Sequence, residues 1–376
     1  MLSKRFLQNI PRFVYHWYGK AMSDLGKAQI PMTMTHYTDL SDPLIDQEVS
    51  KLFKTGSTYM PTEVVNKTSI TGVLKCAYVW DGIAMTVYLA EVDNKSISTK
   101  QIIDTINLFV YILNKWVIYQ TKQASPQKAV KIILAPFNIP KHTSHKSFDH
   151  KKPNETALSP INVNSGFTQW GISTTPMIVV FRKEEFNKVL MHELMHFFDI
   201  DNNIDVFLSQ AITKGIEGRF KLSGSPLILR ESFNDTMACL FLICIDVMRH
   251  KHKSKEAFYK AFERSFLRSK KHILNVASLV LQYYGYTDVR NPKPMHQKSH
   301  IFSYYVCKAV NFLFPEDFNN IIMEHNMFTQ AIGVPYAEHI KTKLEQEGFT
   351  HEVNIGLQKK RDVLSSLRML DIDYLQ

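Results

Sequence analysis

The most constraining feature of this chain is the segment His192-Glu193-Leu194-Met195-His196, which places three polar side chains inside a strongly apolar stretch. Apolar residues recur with the helical period from Lys183 to Phe198, so the segment is predicted to be helical. The apolar residues around the polar ones are Phe186, Val189, Leu190, Leu194, Met195, Phe197 and Phe198. Because burying a carboxylate and two imidazoles without partners is unfavourable, these three groups are expected to share a specific role.

Residues four apart lie on one face of a helix, so His192 and His196 can direct ring nitrogens at one metal ion. Glu193 follows the first histidine directly, so its carboxylate lies beside the metal and can accept a proton from metal-bound water. Zinc lowers the pKa of such a water from 15.7 toward about 7. The five-residue motif alone is only moderately specific, and a helix with two partly buried histidines and a solvated glutamate is the alternative.

A second acidic pair occurs in the segment Leu229–Asp235, far enough downstream for a loop and a return helix. Glu231 and Asp235 are four residues apart and lie on one helical face. Glu231 can complete a site of two histidines and one glutamate, which is the ligand set of several zinc peptidases. Asp235 can accept a hydrogen bond from the far ring nitrogen of a ligand histidine and fix its tautomer.

The combination of H-E-x-x-H with a later E-x-x-x-D resembles the gluzincin branch of the zincin metallopeptidases. The resemblance implies that His192, His196 and Glu231 bind Zn²⁺. It also implies that Glu193 is the general base and that Asp235 supports the ligands from outside the metal's coordination shell. The implied activity is that of a hydrolase that cleaves peptide bonds with a zinc-bound water.

The same resemblance implies an α+β, zincin-like fold, with a small mixed sheet, an active-site helix and a mainly helical C-terminal subdomain. Zincins place an edge strand before the active-site helix, and an extended peptide or protein substrate pairs with that edge. Ile161–Gly166 is the expected edge strand. The block from Asn162 to Asp201 is also similar to H-E-x-x-H proteins encoded by large eukaryotic DNA viruses, which implies a viral protein.

The residue that stabilises the oxyanion in this family, usually a His or a Tyr, has no recognisable signature here. His296, His300, Tyr304 and Tyr305 occur in a helical stretch at a suitable distance downstream. The role requires a donor aimed at the metal site, and we expect Tyr304 or His300 to fill it. Core packing is the alternative role of each of these four residues.

The remaining pattern predicts mixed structure followed by helices. Asp81-Gly82 joins two β-prone runs, Ser69–Trp80 and Ile83–Glu91, and is a strong hairpin signal. A helix over Lys100–Tyr119 and a short strand over Val130–Ala135 follow. Met177–Phe181 is a further strand candidate, and the chain is almost wholly helical from about residue 225.

This pattern predicts three parts of the chain. Residues 1–65 are predicted to be irregular. Residues 1–61 are expected to form an N-terminal arm or a prodomain, and residues 62–215 the zincin-like α/β subdomain with the motif helix. Residues 216–376 form the helical subdomain that carries the third ligand. We expect zinc in the cleft between the two subdomains.

Other candidate sites have weaker patterns. His142, His145 and His150 with Asp149 fit no firm ligand spacing, and loop histidines are usually solvated. Three acids follow the motif helix and could bind calcium, but the segment lacks the glycine and the terminal glutamate of an EF-hand. The simpler interpretation is that they are acidic residues at the end of the helix. These acids are Asp199, Asp201 and Asp205.

Composition limits the partners and the compartment. Four scattered cysteines suggest no disulfide framework, which favours a reducing compartment. The basic N-terminal stretch lacks the apolar core of a signal peptide, so we expect an intracellular, cytoplasmic protein or one packaged in a virion. No stretch is predicted to span a membrane, and the oligomeric state has no sequence signal. The net charge of +10 is spread along the chain, without a specific nucleic-acid module.

A different class of function fits the same residues. A virion or scaffold protein that keeps a zincin fold, with a structural or vestigial zinc site, is the alternative to a peptidase. The base and all three ligands are intact, which loss of catalysis would not require. The sequence therefore favours the peptidase.

Overall fold

The computed structural model describes residues 2–60, 62–66, 70–92, 98–123, 127–141, 147–170, 175–250, 252, 254–359 and 367–370. The chain is a mixed α+β protein with a six-stranded mixed sheet, as the sequence predicted at this level. It forms two compact units. The sheet unit comprises the described parts of His16–Pro140 and Asn164–Asp199, and the helical unit those of Met1–Tyr15, Lys141–Val163 and Ile200–Ile372.

The strands of the described residues belong to two sheets. They are β1 Thr33–Tyr37, β2 Ile70–Trp80, β3 Ile83–Val92, β4 Ala129–Phe137, β5 Gly166–Gln169, β6 Met177–Arg182, β7 Leu222–Gly224 and β8 Met295–Gln297. The large sheet has the order β1-β2-β3-β4-β6-β5, in which β3, β4 and β6 are parallel neighbours and the other pairs are antiparallel. β7 and β8 form a separate parallel pair in the helical unit.

The α-helices of the described residues are distributed over both halves of the chain. In chain order they are α1 Lys4–Leu7, α2 Ile10–Lys27, α3 Gln47–Thr55, α4 Thr62–Asn66, α5 Thr99–Thr121, α6 Pro153–Thr156, α7 Pro160–Val163, α8 Phe186–Phe197, α9 Gln210–Arg219, α10 Leu229–Arg249, α11 Lys255–Tyr283, α12 Lys308–Leu313, α13 Pro315–Glu324, α14 Gly333–Glu345 and α15 Glu347–Leu357. A π-helix over Phe302–Cys307 leads into α12, and short 3₁₀ turns cover Phe207–Ser209 and Gln330–Ile332.

The predicted hairpin is confirmed as β2 and β3. Asp81 and Gly82 have φ values of 47° and 83°, and Trp80 pairs with Ile83 across the turn. Positive φ at both central residues matches the right-handed twist of the flanking strands, which explains the Asp-Gly dipeptide. The parallel step from β3 to β4 then requires a crossover, and α5 supplies it.

α5 is mostly buried. Among the described residues it is long and apolar enough to cross a membrane by length and composition. However, 78% of its most apolar 18-residue stretch is buried inside the protein, as is common for core helices of proteins outside membranes. It contacts α8, and its Asn107 carbonyl accepts a hydrogen bond of 2.9 Å from the indole of Trp80. α5 is therefore a core helix that covers the sheet.

The edge strand differs from the prediction. The sequence predicted it at Ile161–Gly166, whereas the structure has the helical turn α7 over the first half of that segment and the strand β5 at Gly166–Gln169. Pro160 begins the turn, where its fixed φ and missing N–H are tolerated. The Asn162 side chain then accepts a hydrogen bond of 2.9 Å from the Ser159 N–H. These local contacts favour a turn over extended backbone.

The prediction of an irregular N-terminal segment is also wrong. β1 is an edge strand of the large sheet, and two helices precede it. Phe6 of α1 is buried, and its ring centroid lies 5.7 Å from that of Phe266. Pro11, which interrupts the apolar pattern of the sequence, is the second residue of α2, where no intrahelical N–H bond is lost. Much of this segment therefore belongs to the packed structure.

The helical unit is built around α10 and α11. Phe258, Phe262 and Phe266 repeat every four residues along α11 and form an aromatic ridge on one face. Phe266 stacks on Phe312 of α12 with ring centroids 5.2 Å apart. α10 is buried over nearly its whole length, so its polar side chains must find partners inside the protein.

Candidate metal centre

α8 carries the motif and is buried along almost its whole length. It packs against β5, β6 and α5 in the sheet unit. Glu185 precedes it with φ of 59°, a left-handed turn that separates the helix from β6. The helix begins three residues later than predicted because Lys183 and Glu184 belong to this turn. The burial explains why polar residues of α8 need specific partners.

The two histidines of α8 face one point. The Nε2 atoms of His192 and His196 are 3.1 Å apart. Two nitrogen ligands at 2.0–2.1 Å from a tetrahedral ion would be about 3.3 Å apart, so this separation suits a shared metal. Together with Glu231 they form a group whose ligand atoms all lie within 4.8 Å of one another. His192 and Glu231 are buried and His196 is half-buried, so this group could bind a metal ion.

Glu193 is held beside the pair of histidines. The residue is only 5% exposed. The Thr168 hydroxyl of β5 lies 2.8 Å from the Glu193 carboxylate oxygen Oε2 and 3.1 Å from its backbone oxygen. The carboxylate therefore has a described hydrogen-bond donor within the same unit.

Both candidates for the oxyanion donor lie in the helical unit, as does the predicted third ligand. The Tyr304 hydroxyl donates a hydrogen bond of 3.0 Å to Glu231 Oε2. His300 Nδ1 donates to the Pro226 carbonyl at 3.3 Å. Neutral His300 then has its proton on Nδ1, and its Nε2 is an acceptor. Tyr304 is therefore the candidate that contacts the predicted ligand Glu231.

Asp235 forms a buried ion pair. Its Oδ2 atom is 2.7 Å from Lys308 Nζ, and the two side chains are 0% and 1% exposed. Lys308 also donates to the Met369 carbonyl at 3.0 Å. The pair lies one turn after Glu231 on α10, so it anchors the helix that carries this residue. The contact of Asp235 with a ligand histidine stays a prediction.

Asp205 caps α10. Its carboxylate accepts hydrogen bonds from the N–H groups of Leu229 and Arg230, at 2.9 and 3.1 Å. Ile228 at the helix start has no side-chain acceptor, so Asp205 replaces an ordinary N-cap. Burial raises the pKa of Asp205, while the two N–H donors act in the opposite direction. The acids after the motif helix thus include a cap for the Glu231 helix.

The other histidines and tyrosines predicted as alternatives have different neighbours. His296 Nδ1 is 3.2 Å from the Ser223 hydroxyl, and the Tyr305 hydroxyl donates to the Leu367 carbonyl at 2.9 Å. His150 is exposed and its ring packs edge-on against Phe148. His142 and His145 lie outside the described residues, and so does any metal site built on them.

The sequence did not indicate the roles of Thr168, Asp205 and Lys308. Threonine in a strand and lysine in a helix are common residue types, and no spacing links them to Glu193 or Asp235. Asp205 is one acid among three after the motif helix, and a cap supplied from a loop has no local signature. Only Gly166, at the end of the predicted edge strand, could have indicated a close approach of backbone to another element.

Comparisons with known proteins add no family to these observations. The chain matches no known protein family, no curated protein and no solved structure. The chemistry of the site therefore rests on the side chains described above.

Proposed function

We propose that this chain is a zinc-dependent peptidase of the gluzincin-type zincin class. The observation that carries the proposal is the 3.1 Å separation of the His192 and His196 Nε2 atoms, with Glu231 in the same group. Glu193, which directly follows His192 on α8, supplies the base that such a site needs. A zincin-like arrangement of sheet and active-site helix is part of the same proposal.

Zinc fits the donor set. Two imidazole nitrogens and one carboxylate are the three protein ligands of several catalytic zinc sites, and the fourth position is kept for water or substrate. Magnesium and calcium prefer oxygen ligands, so the two histidines disfavour them. Zinc, when bound, would lower the pKa of a water molecule and polarise a substrate carbonyl.

Glu193 is the proton carrier in the proposed mechanism. Its carboxylate takes a proton from the attacking water and later passes it to the leaving amine. His192 and His196 act as neutral ligands, so the reaction requires their deprotonated forms.

Tyr304 is our choice for the oxyanion donor. Its hydroxyl donates to Glu231, the proposed third ligand, at 3.0 Å, so we expect it to be able to donate to a substrate oxygen bound beside that ligand. His300 uses its Nδ1 proton on the Pro226 carbonyl, so neutral His300 cannot donate through Nε2. We therefore expect Tyr304→Phe to lower kcat by about 10- to 1,000-fold and His300→Gln to lower it much less.

An extended peptide is the proposed substrate. β5 is the last strand of the large sheet, so one of its edges lacks a strand neighbour among the described residues. Main-chain hydrogen bonds to such an edge hold a peptide in extended form without fixing its side chains. This strand contacts α8, which brings the peptide to the helix that carries Glu193.

Metal analysis tests the ligand assignment. Purified wild-type protein should contain close to one zinc per chain, and Glu231→Ala should weaken zinc binding by more than about 100-fold. Glu256→Ala is the matched control, because Glu256 is an exposed glutamate in the first turn of α11. Equal zinc affinity in wild type and Glu231→Ala would refute Glu231 as a ligand.

Cleavage of a peptide library tests the activity. Glu193→Gln keeps the size of the side chain but cannot accept the proton, so kcat/KM should fall by about 10²- to 10⁴-fold. Zinc content should stay at the wild-type level. If the wild type binds zinc but shows no cleavage that depends on Glu193, a structural zinc site in a scaffold protein is the better interpretation.

A further inference from the structure

β5 approaches α8 so closely that its first residue has no room for a side chain. A Cβ atom on Gly166 would lie 2.6 Å from Val189 Cγ1, 2.7 Å from the Val179 carbonyl and 3.3 Å from Glu193 Cγ. These distances are shorter than van der Waals contact, so only glycine allows the strand to lie here. The face of β5 that carries Gly166 is therefore the face turned toward the motif helix.

Thr168 lies on that same face, because residues two apart in a strand point to the same side. Its hydroxyl reaches Glu193 at two atoms, the carboxylate Oε2 at 2.8 Å and the backbone oxygen at 3.1 Å. A hydroxyl has a single proton, and a carboxylate is the stronger acceptor, so the shorter contact is the main hydrogen bond. The contact joins residues that are 25 positions apart.

We infer that Thr168 is a positioning residue, which holds the Glu193 carboxylate in the orientation needed for proton transfer. This inference rests on the proposed function, since it concerns the base of that reaction. A glutamate side chain has several rotatable bonds, and a hydrogen bond at the carboxylate restricts them. A base that is misplaced by about 1 Å can cost about 100-fold in rate, so such a support matters.

Kinetics of three variants test the inference. Thr168→Val has the shape of threonine without the hydroxyl and should lower kcat by about 10- to 100-fold with little change in KM. Thr168→Ser restores the hydroxyl and should return kcat to within about threefold of wild type. Thr168→Ala should show the same kcat as Thr168→Val, so the test remains usable if the Thr168→Val variant folds poorly. Zinc content should stay the same in all three.

Two kinetic results would overturn the inference. An unchanged kcat in Thr168→Val would show that the hydroxyl is dispensable for the base. A rise in KM at constant kcat would assign Thr168 to substrate alignment on the strand. In both cases a large effect of Glu193→Gln would show that the proposed peptidase activity itself stands. A wild type without Glu193-dependent cleavage would overturn the proposed function and this inference together.

A thermal unfolding cycle tests the contact without any activity measurement. Thr168→Val should lower the Tm of the metal-free wild type, but it should have a smaller effect in a Glu193→Ala background, where no carboxylate is present. The reduced effect would support a direct Thr168–Glu193 interaction. Equal Tm shifts in the two backgrounds would show that the hydroxyl does not act through the carboxylate, and would overturn the inference.

Discussion

His339 illustrates at the residue scale how burial sets a charge state. Its Nε2 atom lies 3.2 Å from Asn311 Oδ1, and the Asn311 amide donates to Thr236 and to the Tyr336 hydroxyl. Asn311 Oδ1 therefore accepts, and neutral His339 carries its proton on Nε2. Burial lowers the pKa of His339 to about 4, because the charged ring would lose its hydration. This neutral histidine helps to join α14 to α10 through a buried polar network.

Acid should destabilise the protein through His339. The unfolded chain takes up this proton near pH 6.5 and the folded chain only near pH 4, so stability is full above about 6.5 and falls between these values. The loss amounts to about 2 kcal/mol at pH 5. Urea unfolding at pH 7.5 and pH 5 should show a smaller pH dependence for His339→Gln, whose amide can still donate to Asn311. Identical pH dependence in the two proteins would contradict this assignment.

At the element scale, the spacing between β5 and α8 depends on the absence of a side chain. A Cβ atom added at Gly166 would lie closer to atoms of β6 and α8 than an ordinary Cβ contact allows. The same face of the strand presents Thr168 to Glu193. A change in this spacing would therefore affect both the packing of the sheet unit and the orientation of the predicted base.

Gly166→Ala should lower the free energy of unfolding by about 1–3 kcal/mol, because the added methyl group overpacks the space between strand and helix. Gly218→Ala is the matched control. A Cβ on Gly218 of α9 meets nothing within 4 Å, and the helix favours alanine over glycine by roughly 0.5–1 kcal/mol. Chemical denaturation of the two variants measures the difference. A Gly166→Ala protein as stable as Gly218→Ala would show that the strand can shift without cost.

At the scale of the whole molecule, a metal that binds only the folded chain must stabilise it. Zinc at 100 times its dissociation constant adds about 2.7 kcal/mol to the free energy of unfolding. We expect zinc to raise the Tm of the metal-free protein by roughly 4 °C, and magnesium to leave it unchanged. Differential scanning calorimetry of wild type and His196→Ala would measure the shift. A Tm rise of the same size in His196→Ala would place the stabilising zinc elsewhere.

The chain determined by itself the features that depend on local spacing. The helical period around His192 and His196 placed both rings on one face, and the Asp81-Gly82 dipeptide specified the hairpin. The i, i+4 relation of Glu231 and Asp235 put both acids on α10. Turn chemistry and periodicity act between residues that are close in sequence, so they can be predicted without knowing the fold.

The tertiary structure decided which distant side chains support these residues. Thr168 meets Glu193, Asp205 caps α10, and Lys308 pairs with Asp235. It also set the close approach of the edge strand, Gly166–Gln169, to α8. Such contacts depend on how helices and strands pack. Packing brings together residues whose spacing along the sequence follows no regular repeat. The sequence therefore determined the chemical groups of the candidate site, and packing determined their supports.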